Sequence, residues 1–281
     1  MDEDLAEAIR SMIVSAPASR PVGELLRGWR HRRRFSQLQL AVASGVSARH
    51  VSFLECGRSR PSREMILHLA ASLDVPLRER NALLLAAGFS PAYAESSLDA
   101  PLMAPIREAL DQLLSAHDPF PAVVVDRYWN LVLANSGVFT LVAGIDDEFL
   151  KPPINVMRAT LHPAGLAPRI ENFGEYSRHL LDRLRRQIFL TGDPDLEALF
   201  GELVTYPGVQ VREDEEVQLD PTQVVLPIRL RSGSQILSFF TMISTLGTAL
   251  DLTLADLALE SFFPADDLTS RALREQSGGA K

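Results

Sequence analysis

Apolar residues recur every three or four positions between Val22 and Gly88, which is the spacing of helices that bury one face. The stretches of this pattern are short, and residues that interrupt helices, among them Gly45, Gly57 and Pro61, lie at their junctions. Five stretches can be separated in this way. The pattern therefore predicts a domain of five short helices over residues 21–89.

A different pattern begins after residue 104. Two β-rich runs, Ala122–Asp126 and Asn130–Ala134, flank a tight turn and predict a hairpin. Val224–Leu230 and Ile236–Ile243 flank a glycine-containing turn and predict a second hairpin, and the region between the hairpins has helical periodicity. The predicted fold class is therefore α+β, a five-helix domain followed by an antiparallel sheet domain with covering helices.

The changes of pattern also set domain boundaries. Proline and serine are frequent between the two patterned regions, as is typical of a linker. The predicted divisions are 1–20 for an N-terminal tail or short helix, 21–89 for the helical domain, 90–104 for the linker, 105–267 for the second domain and 268–281 for a C-terminal tail.

Charge separates the two domains more sharply than the net charge of −8 suggests. The first 90 residues carry 13 Arg and no Lys against 9 Asp and Glu, whereas the remainder carries 15 basic and 27 acidic residues. Between Arg20 and Arg63 there are 10 basic residues and two acidic ones. Only the first domain should therefore attract a polyanion such as DNA.

Two adjacent helices in the basic region have recognisable N-terminal caps. Ser36 and Gln39 match the capping-box pattern, so one helix should begin there and end near Gly45. Ser47 can cap the next helix, Ala48–Glu55. The apolar spacing buries one face of that second helix and leaves outside Ala48, Arg49, Ser52 and Phe53, with His50 at the edge.

An exposed helix of this size fits the major groove of DNA. Arginine can bridge guanine O6 and N7, serine can donate or accept a hydrogen bond, and an apolar group can contact the thymine methyl. Three arginines that can neutralise phosphates follow the helix, namely Arg58, Arg60 and Arg63. We expect the run Arg32–Arg34 to face phosphates or solvent rather than bases.

The order of residues in this region resembles the XRE, or lambda-repressor-like, helix-turn-helix. The residues that carry the resemblance are Ser36-Gln37, Leu40-Ala41, Gly45-Val-Ser47, Val51, Leu54-Glu55, Gly57-Arg58 and Arg60-Pro-Ser62. The resemblance implies that Gln37 anchors the DNA backbone or reaches a base, and that Glu55 pairs with Arg30. The predicted DNA-binding residues are Gln37, Ser47, Ala48, Arg49, His50, Ser52, Phe53, Arg58, Arg60 and Arg63.

Several stretches of the second domain resemble the ligand-binding domain of MmyB-like regulators. They are Asp126–Asn135, Asn155–Arg158, Leu161–Leu166, Tyr206–Gly208, Leu237–Thr241 with Leu246–Thr248, and Glu260–Asp266. The resemblance implies a PAS-like sheet-and-helix fold with an internal cavity. It also implies a small, fairly apolar ligand, fatty acids among them. Apart from such a ligand we expect no cofactor, and we predict that this domain also serves dimerisation, since a dimeric DNA-binding protein commonly uses a second module for that purpose.

Ligand-binding candidates follow from residue type and position in this domain. An aromatic wall would come from Trp129 and from Phe240, since Phe239 and Phe240 face opposite sides of a strand. The candidates for holding a head group are Asn135, Arg158, His162 and Thr245, among which Arg158 suits a carboxylate. Ordinary core packing remains an alternative for the aromatic residues, as does helix capping for His162.

Features of other functional classes are missing from the sequence. It contains no GxSxG, HExxH, P-loop or GxGxxG motif, so we expect no enzymatic activity and no metal site. Cys56 is the sole cysteine, which excludes an intrachain disulfide. With no signal-peptide pattern and no long apolar run, the sequence predicts a cytoplasmic protein.

The sequence thus predicts a dimeric transcription regulator that binds a two-fold DNA operator and senses a small molecule in its second domain. Two alternatives remain open. The second domain could bind a protein partner, as antitoxin-like proteins do, in an apolar groove rather than an enclosed cavity. It could also be a PAS-type sensor with haem or flavin, which would colour the purified protein.

Overall fold

The structure is a computed structural model and describes residues 20–211 and 225–278. The chain divides after Ala94 into two compact units. The predicted N-terminal tail or short helix, apart from Arg20, and the predicted strand residue Val224 lie outside the described residues.

Among residues 20–94 the first unit consists of short helices, and the prediction of five over residues 21–89 is confirmed. Their order along the chain is that of the five apolar stretches. They are α1 (Val22–Arg32), α2 (Gln37–Ser44), α3 (Ala48–Glu55), α4 (Arg63–Ser72) and α5 (Leu77–Ala86).

Local hydrogen bonds define the turn between α2 and α3. Ser36 Oγ accepts from Gln39 N at 3.1 Å and Gln39 Oε1 accepts from Ser36 N at 2.7 Å, which is the predicted reciprocal capping box. Gly45 ends α2 with a φ of +67°, a conformation that glycine adopts without strain. Ser47 Oγ then accepts from His50 N and starts α3. Each element of the helix-turn-helix is therefore specified by nearby residues.

Close packing brings α3 against α1. Trp29, Val51 and Leu54 are buried in one apolar core with residues of α2 and α4. A Cβ at Gly23 would lie 2.4 Å from the carbonyl oxygen of Leu54, so α1 can approach α3 this closely only with glycine at that position.

A buried ion pair joins the same helices. Arg30 in α1 donates to both carboxylate oxygens of Glu55 at the end of α3, at 2.6 and 2.9 Å, as the family resemblance implied. Gln37 at the start of α2 donates to Glu55 Oε2 at 2.9 Å. One carboxylate thus holds the first three helices together.

The hydrogen bonds determine the ionisation of this carboxyl. Burial alone would raise the pKa of Glu55, but the hydrogen bonds from Arg30 and Gln37 and the charge of Arg30 outweigh it, so the pKa lies below the ordinary value. A carboxyl whose pKa is lowered by folding stabilises the fold above its unfolded-state pKa. That contribution is lost as the pH falls through the folded-state pKa.

The second unit is built on a five-stranded antiparallel sheet with strand order β2-β1-β5-β4-β3. The predicted α+β class is confirmed, and both predicted hairpins are present. The strands are β1 (Ala122–Val125), β2 (Leu131–Ala134), β3 (Ile228–Ser232), β4 (Gln235–Thr245) and β5 (Ala258–Pro264).

Helices cover both faces of the sheet. One face packs through Ala122 and Val124 on Leu110 and Leu114 of the first helix of the unit. The other face forms a larger core with the helices between the hairpins. The helices are α6 (Ala104–His117), α7 (Val138–Val142), α8 (Val156–Leu161), α9 (Phe173–Thr191), α10 (Pro194–Leu203), α11 (Leu252–Ala255) and α12 (Asp267–Gly278).

The structure differs from the sequence analysis in three details. The second hairpin turns within two residues, because Ser232 pairs with Gln235. A fifth strand, β5, was not predicted, although it lies between β1 and β4 at the centre of the sheet. The segment predicted as a C-terminal tail contains most of α12, and Leu273 of this helix is buried in the core beside the sheet.

We expect Glu55→Gln to destabilise the first unit by about 3 kcal/mol, because it leaves the buried Arg30 charge without its partner. Urea unfolding of a fragment spanning residues 20–94, followed by Trp29 fluorescence, measures the change. The difference in unfolding free energy between the wild type and the variant should become smaller as the pH falls below 4.5, the ordinary pKa of glutamate. Protonation of Glu55 then removes the same interaction that the substitution removes.

The matched control is Glu24→Gln on the exposed side of α1, which should change the stability by less than about 0.5 kcal/mol. Equal effects of the two substitutions would show that the ion pair contributes nothing particular.

Candidate nucleic-acid interface and ligand cavity

The outer face of α3 carries the side chains that the sequence analysis placed there. Arg49 is exposed, while Val51, Leu54 and Glu55 point into the unit. The remaining candidates on this helix are half-buried, namely Ala48, His50, Ser52 and Phe53. Ser47 is exposed, but its hydroxyl is engaged in capping α3.

Two arginines share one aromatic ring on this face. The guanidinium carbon of Arg49 lies 5.2 Å from the centroid of the Phe53 ring, and that of Arg58 lies 6.0 Å from it. Cation–π contacts of this kind orient long side chains that would otherwise sample many rotamers. Arg60 is exposed and Arg63 is half-buried at the start of α4.

Two residues in this unit have partners that the sequence analysis did not foresee. The side-chain amide of Gln37 donates to Glu55, so this residue also supports the ion pair, and its contact with DNA stays a prediction. Arg33 is not simply a solvated or phosphate-facing residue, because it donates to the carbonyls of Leu73 and Asp74 at 2.8 and 2.6 Å. It thereby ties the end of α1 to the end of α4.

The second unit contains a cavity of about 510 Å³ between the sheet and the helices that cover its larger core. Its walls are largely apolar, with Val123 from β1, Leu131 from β2, Leu141 from α7, Met157 from α8 and Leu180 from α9. A volume of this size and a lining of this character are typical of small-molecule sites.

Trp129 lines the cavity, as the sequence analysis proposed, and is also buried in the core. Its Nε1 donates to Gln187 Oε1 at 2.9 Å. The guanidinium carbon of Arg183 lies 4.2 Å from its ring centroid. Burial lowers the pKa of Arg183, and the neighbouring Glu260 opposes this effect.

Asn135 also lines the cavity, but its side chain is already fully engaged. Its Oδ1 accepts from Ala122 N at 2.9 Å, and its Nδ2 donates to the carbonyls of Phe120 and Leu114 at 2.8 and 3.2 Å. These contacts fix the hairpin to the chain that precedes it, so Asn135 has a structural role at the cavity wall.

Arg158 lies outside the cavity lining, contrary to the prediction that it would hold a head group. Its guanidinium donates to both oxygens of Glu202 in α10, at 2.8 and 2.6 Å, and the Tyr206 hydroxyl donates to the same carboxylate at 2.5 Å. Burial, followed by the interaction with Glu202, raises the pKa of Tyr206 to about 12. The arginine fork thus has a carboxylate partner within the protein.

Three further candidates also lie outside the cavity lining. His162 packs between the rings of Phe149 and Tyr206, with centroids 4.6 and 4.9 Å away. Phe240 stacks on Phe263 at 5.4 Å. Thr245 is exposed at the end of β4. Of the predicted ligand residues, the structure therefore brings together only Trp129 and Asn135.

Besides Ser136 and Thr160, the cavity wall contains two buried polar residues that the sequence analysis missed, Tyr176 of α9 and Glu260 of β5. Each is 5% exposed. Burial, followed by the nearby charge of Glu260, raises the pKa of Tyr176 well above its ordinary range, so its hydroxyl stays neutral. A signal existed in the sequence, because Glu260 alternates with apolar residues of the run ALESFFP and falls on the inward side of a strand.

Within residues 20–211 and 225–278, no group of three or more His, Cys, Asp or Glu side chains is arranged to hold a metal ion. In the same residues, no helix is both long enough and apolar enough to cross a membrane.

Comparison with known proteins gives matches in both units. The model of the MmyB-like transcription regulator ligand binding domain matches residues 106–275, and the model of a helix-turn-helix domain matches residues 21–83. An uncharacterized HTH-type transcriptional regulator of Bacillus subtilis (strain 168), RghRB, is 34% identical over 117 residues, which are 41% of this chain and 76% of that protein.

One solved structure, of a variant of RsLOV, is 12% identical to the chain. The similarity covers 61% of this chain and 78% of that one, with a TM-score of 0.28, which is too low to establish a shared fold.

We expect Asn135→Ala to destabilise the second unit by about 2 to 3 kcal/mol, because it leaves a buried backbone N–H and two carbonyls without partners. Thermal unfolding should show a midpoint lower by roughly 5 to 10 °C for this unit. The neighbouring Ser136→Ala, at an exposed wall position, is the control and should have an effect below about 0.5 kcal/mol. A midpoint unchanged by Asn135→Ala would contradict the structural role.

Proposed function

Because this chain belongs to the MmyB-like transcription regulators, we propose that it is a ligand-responsive regulator in which α3 reads an operator and a small apolar molecule in the cavity changes the affinity for DNA. The observation that carries the proposal is the apolar cavity of about 510 Å³ within the ligand-binding domain. The families that match the chain are those of a transcription regulator and not of an enzyme.

The chemistry of α3 supports base reading in the major groove. Arg49 is exposed on the helix and has the fork geometry that bridges guanine O6 and N7. Ser52 and the Phe53 ring offer a hydroxyl and an apolar edge beside it. Arg58 and Arg60, in the turn after the helix, are placed to neutralise phosphates.

A two-fold operator and a dimer are the natural complement of so short a reading helix. The α3 helix has eight residues, so a single copy contacts only a few base pairs. Two copies related by symmetry double the length of the recognised sequence and raise its specificity over the rest of the genome. We propose that the ligand-binding domain forms the dimer, since a dimeric DNA-binding protein commonly uses a second module for that purpose.

The shape of the cavity favours a small molecule over a protein partner. A protein partner would require an open apolar groove, whereas the lining here comes from both the sheet and several helices. An acyl chain or another apolar ligand would replace empty space with packing contacts in such a site. To act as an effector, the ligand must bind two conformations of the protein with different affinities.

The segment between the two units is a candidate for transmitting that difference. Asn81 of α5 accepts from the backbone N–H groups of Ala92 and Tyr93 and donates to the carbonyl of Tyr93. Four residues after Ala92, the backbone N–H of Ser96 donates to Asp251. The chain is therefore hydrogen-bonded to the first unit just before this segment and to the second unit within it, which suits the transmission of a conformational change.

The separation of base reading from phosphate contact can be tested with two substitutions. Arg49→Ala should lower the preference for the operator at one base position, by about 1 to 3 kcal/mol. Arg58→Ala should instead weaken binding to all DNA about equally and reduce the salt slope by about one. Titration of fluorescent operator and mutated duplexes at several salt concentrations measures both quantities.

Equal losses of specific and nonspecific binding in the two variants would contradict this division of roles. Arg186→Ala in the second unit, at an exposed position on α9, is the matched control and should leave DNA binding unchanged.

Filling the cavity should uncouple the ligand from DNA binding. Ala159 on α8 lines the cavity, so Ala159→Phe places a ring in the ligand space. Native and denaturing mass spectrometry of the purified wild type should show a near-stoichiometric apolar molecule that the variant does not retain. The variant should still bind the operator. Its affinity for the operator should no longer change when the molecule extracted from the wild-type protein is added.

The control, Ala116→Phe, adds the same ring at an exposed position of α6 and should behave as the wild type. If Ala159→Phe still retains the molecule and its operator affinity still responds to that molecule, the ligand does not bind in this cavity.

A further inference from the structure

Among the described residues that line the cavity, the charged side chain is acidic and not basic. Glu260 projects from the central strand β5 into the cavity wall, and it is 5% exposed. The uncharged polar groups of the wall include the Tyr176 hydroxyl. This hydroxyl forms no hydrogen bond with any other described residue. No arginine or lysine is among the lining residues in the described part of the chain.

Only half of the Glu260 carboxylate is engaged by the protein. Its Oε1 accepts from Arg183 Nη1 at 3.3 Å, and Oε2 accepts from no other described residue. Across residues 20–211 and 225–275, no fully enclosed side-chain oxygen lacks a hydrogen-bond partner. Oε2 must therefore be accessible to a small probe, and the cavity is the space that Glu260 lines.

Arg183 does not offer its charge to the cavity in the same way. Its guanidinium lies over the Trp129 ring, 4.2 Å from the centroid, and it is not a lining residue. A molecule in the cavity would thus meet the carboxylate of Glu260 before the guanidinium behind it.

We propose that the effector is an apolar molecule whose head group donates a hydrogen bond to Glu260, a hydroxyl or an ammonium group, and not a fatty acid carboxylate. This inference rests on the proposed function of the cavity as the effector site. It departs from the expectation of a fatty acid that the family resemblance gave.

The energetics of a largely apolar site support this choice. A ligand carboxylate beside Glu260 would place two like charges in an apolar cavity, where water screens them little. A hydroxyl group can instead donate to Glu260 and accept from Tyr176, whose raised pKa keeps its hydroxyl protonated. An ammonium group would donate a charge-assisted hydrogen bond to Glu260.

The test compares three ten-carbon probes on the full-length protein after removal of bound molecules by solvent extraction. They are decan-1-ol, decylamine and decanoate, which share a chain and differ in the head group. Isothermal titration calorimetry near pH 7.5 should show the alcohol or the amine binding at least about tenfold more tightly than decanoate. The comparison of alcohol with amine identifies which donor the site prefers.

Glu260→Gln keeps the shape of the side chain and removes its charge. It should tighten decanoate binding and weaken decylamine binding, each by about tenfold. The control is Glu197→Gln, which makes the same change of net charge at an exposed position of α10 and should leave the ranking as in the wild type. If Glu260→Gln does not fold, the order of the three probe affinities in the wild type still tests the proposed head group.

Decanoate as the tightest wild-type ligand, an unchanged ranking in a folded Glu260→Gln variant, or no binding of any probe would overturn the inference. In those cases the proposed function would still be supported if an apolar molecule extracted from the protein changed its affinity for the operator. Conversely, Glu260-dependent binding of decan-1-ol or decylamine without any change in DNA affinity would support the inference and contradict the regulatory role.

Discussion

A carboxylate removed from water must be neutralised by hydrogen bonds and an opposite charge, and both units of the chain meet this constraint with arginine. In the first unit Glu55 is fully satisfied by Arg30 and Gln37, and the result is a fixed arrangement of three helices. In the second unit Glu260 receives one hydrogen bond from Arg183, and it lines the cavity. The same chemistry therefore fixes three helices in the first unit, and we propose that in the second unit it serves ligand recognition.

The parts of the fold that local residues specify could be predicted from the sequence. The caps at Ser36 and Ser47 and the glycine after α2 fixed the helix-turn-helix to within a residue, since capping depends on neighbours three positions away. The strand β5 was harder to predict, because its inward side carries the charged Glu260 and because it pairs with β1, the first strand of the unit, as well as with the preceding strand β4. Its position at the sheet centre depends on that long-range pairing.

The candidate site was less predictable than the fold, for a related reason. Arg158 has the right chemistry for a carboxylate ligand, but a partner 44 residues along the chain, Glu202, already occupies its fork. Similarly, Asn135 satisfies three backbone groups that no sequence pattern identifies as unpaired. Residue type indicates what a side chain can bind, and only the tertiary structure shows which of these options the protein itself has used.

The chain contains two tryptophans, and each unit buries one of them beside a guanidinium group. Trp29 lies in the core of the first unit, whereas Trp129 forms part of the cavity wall. The two indole rings therefore have different surroundings. We expect emission from Trp129 to change when a molecule enters the cavity, whereas Trp29 should contribute a constant background, so that cavity occupancy could be followed without any dye or label.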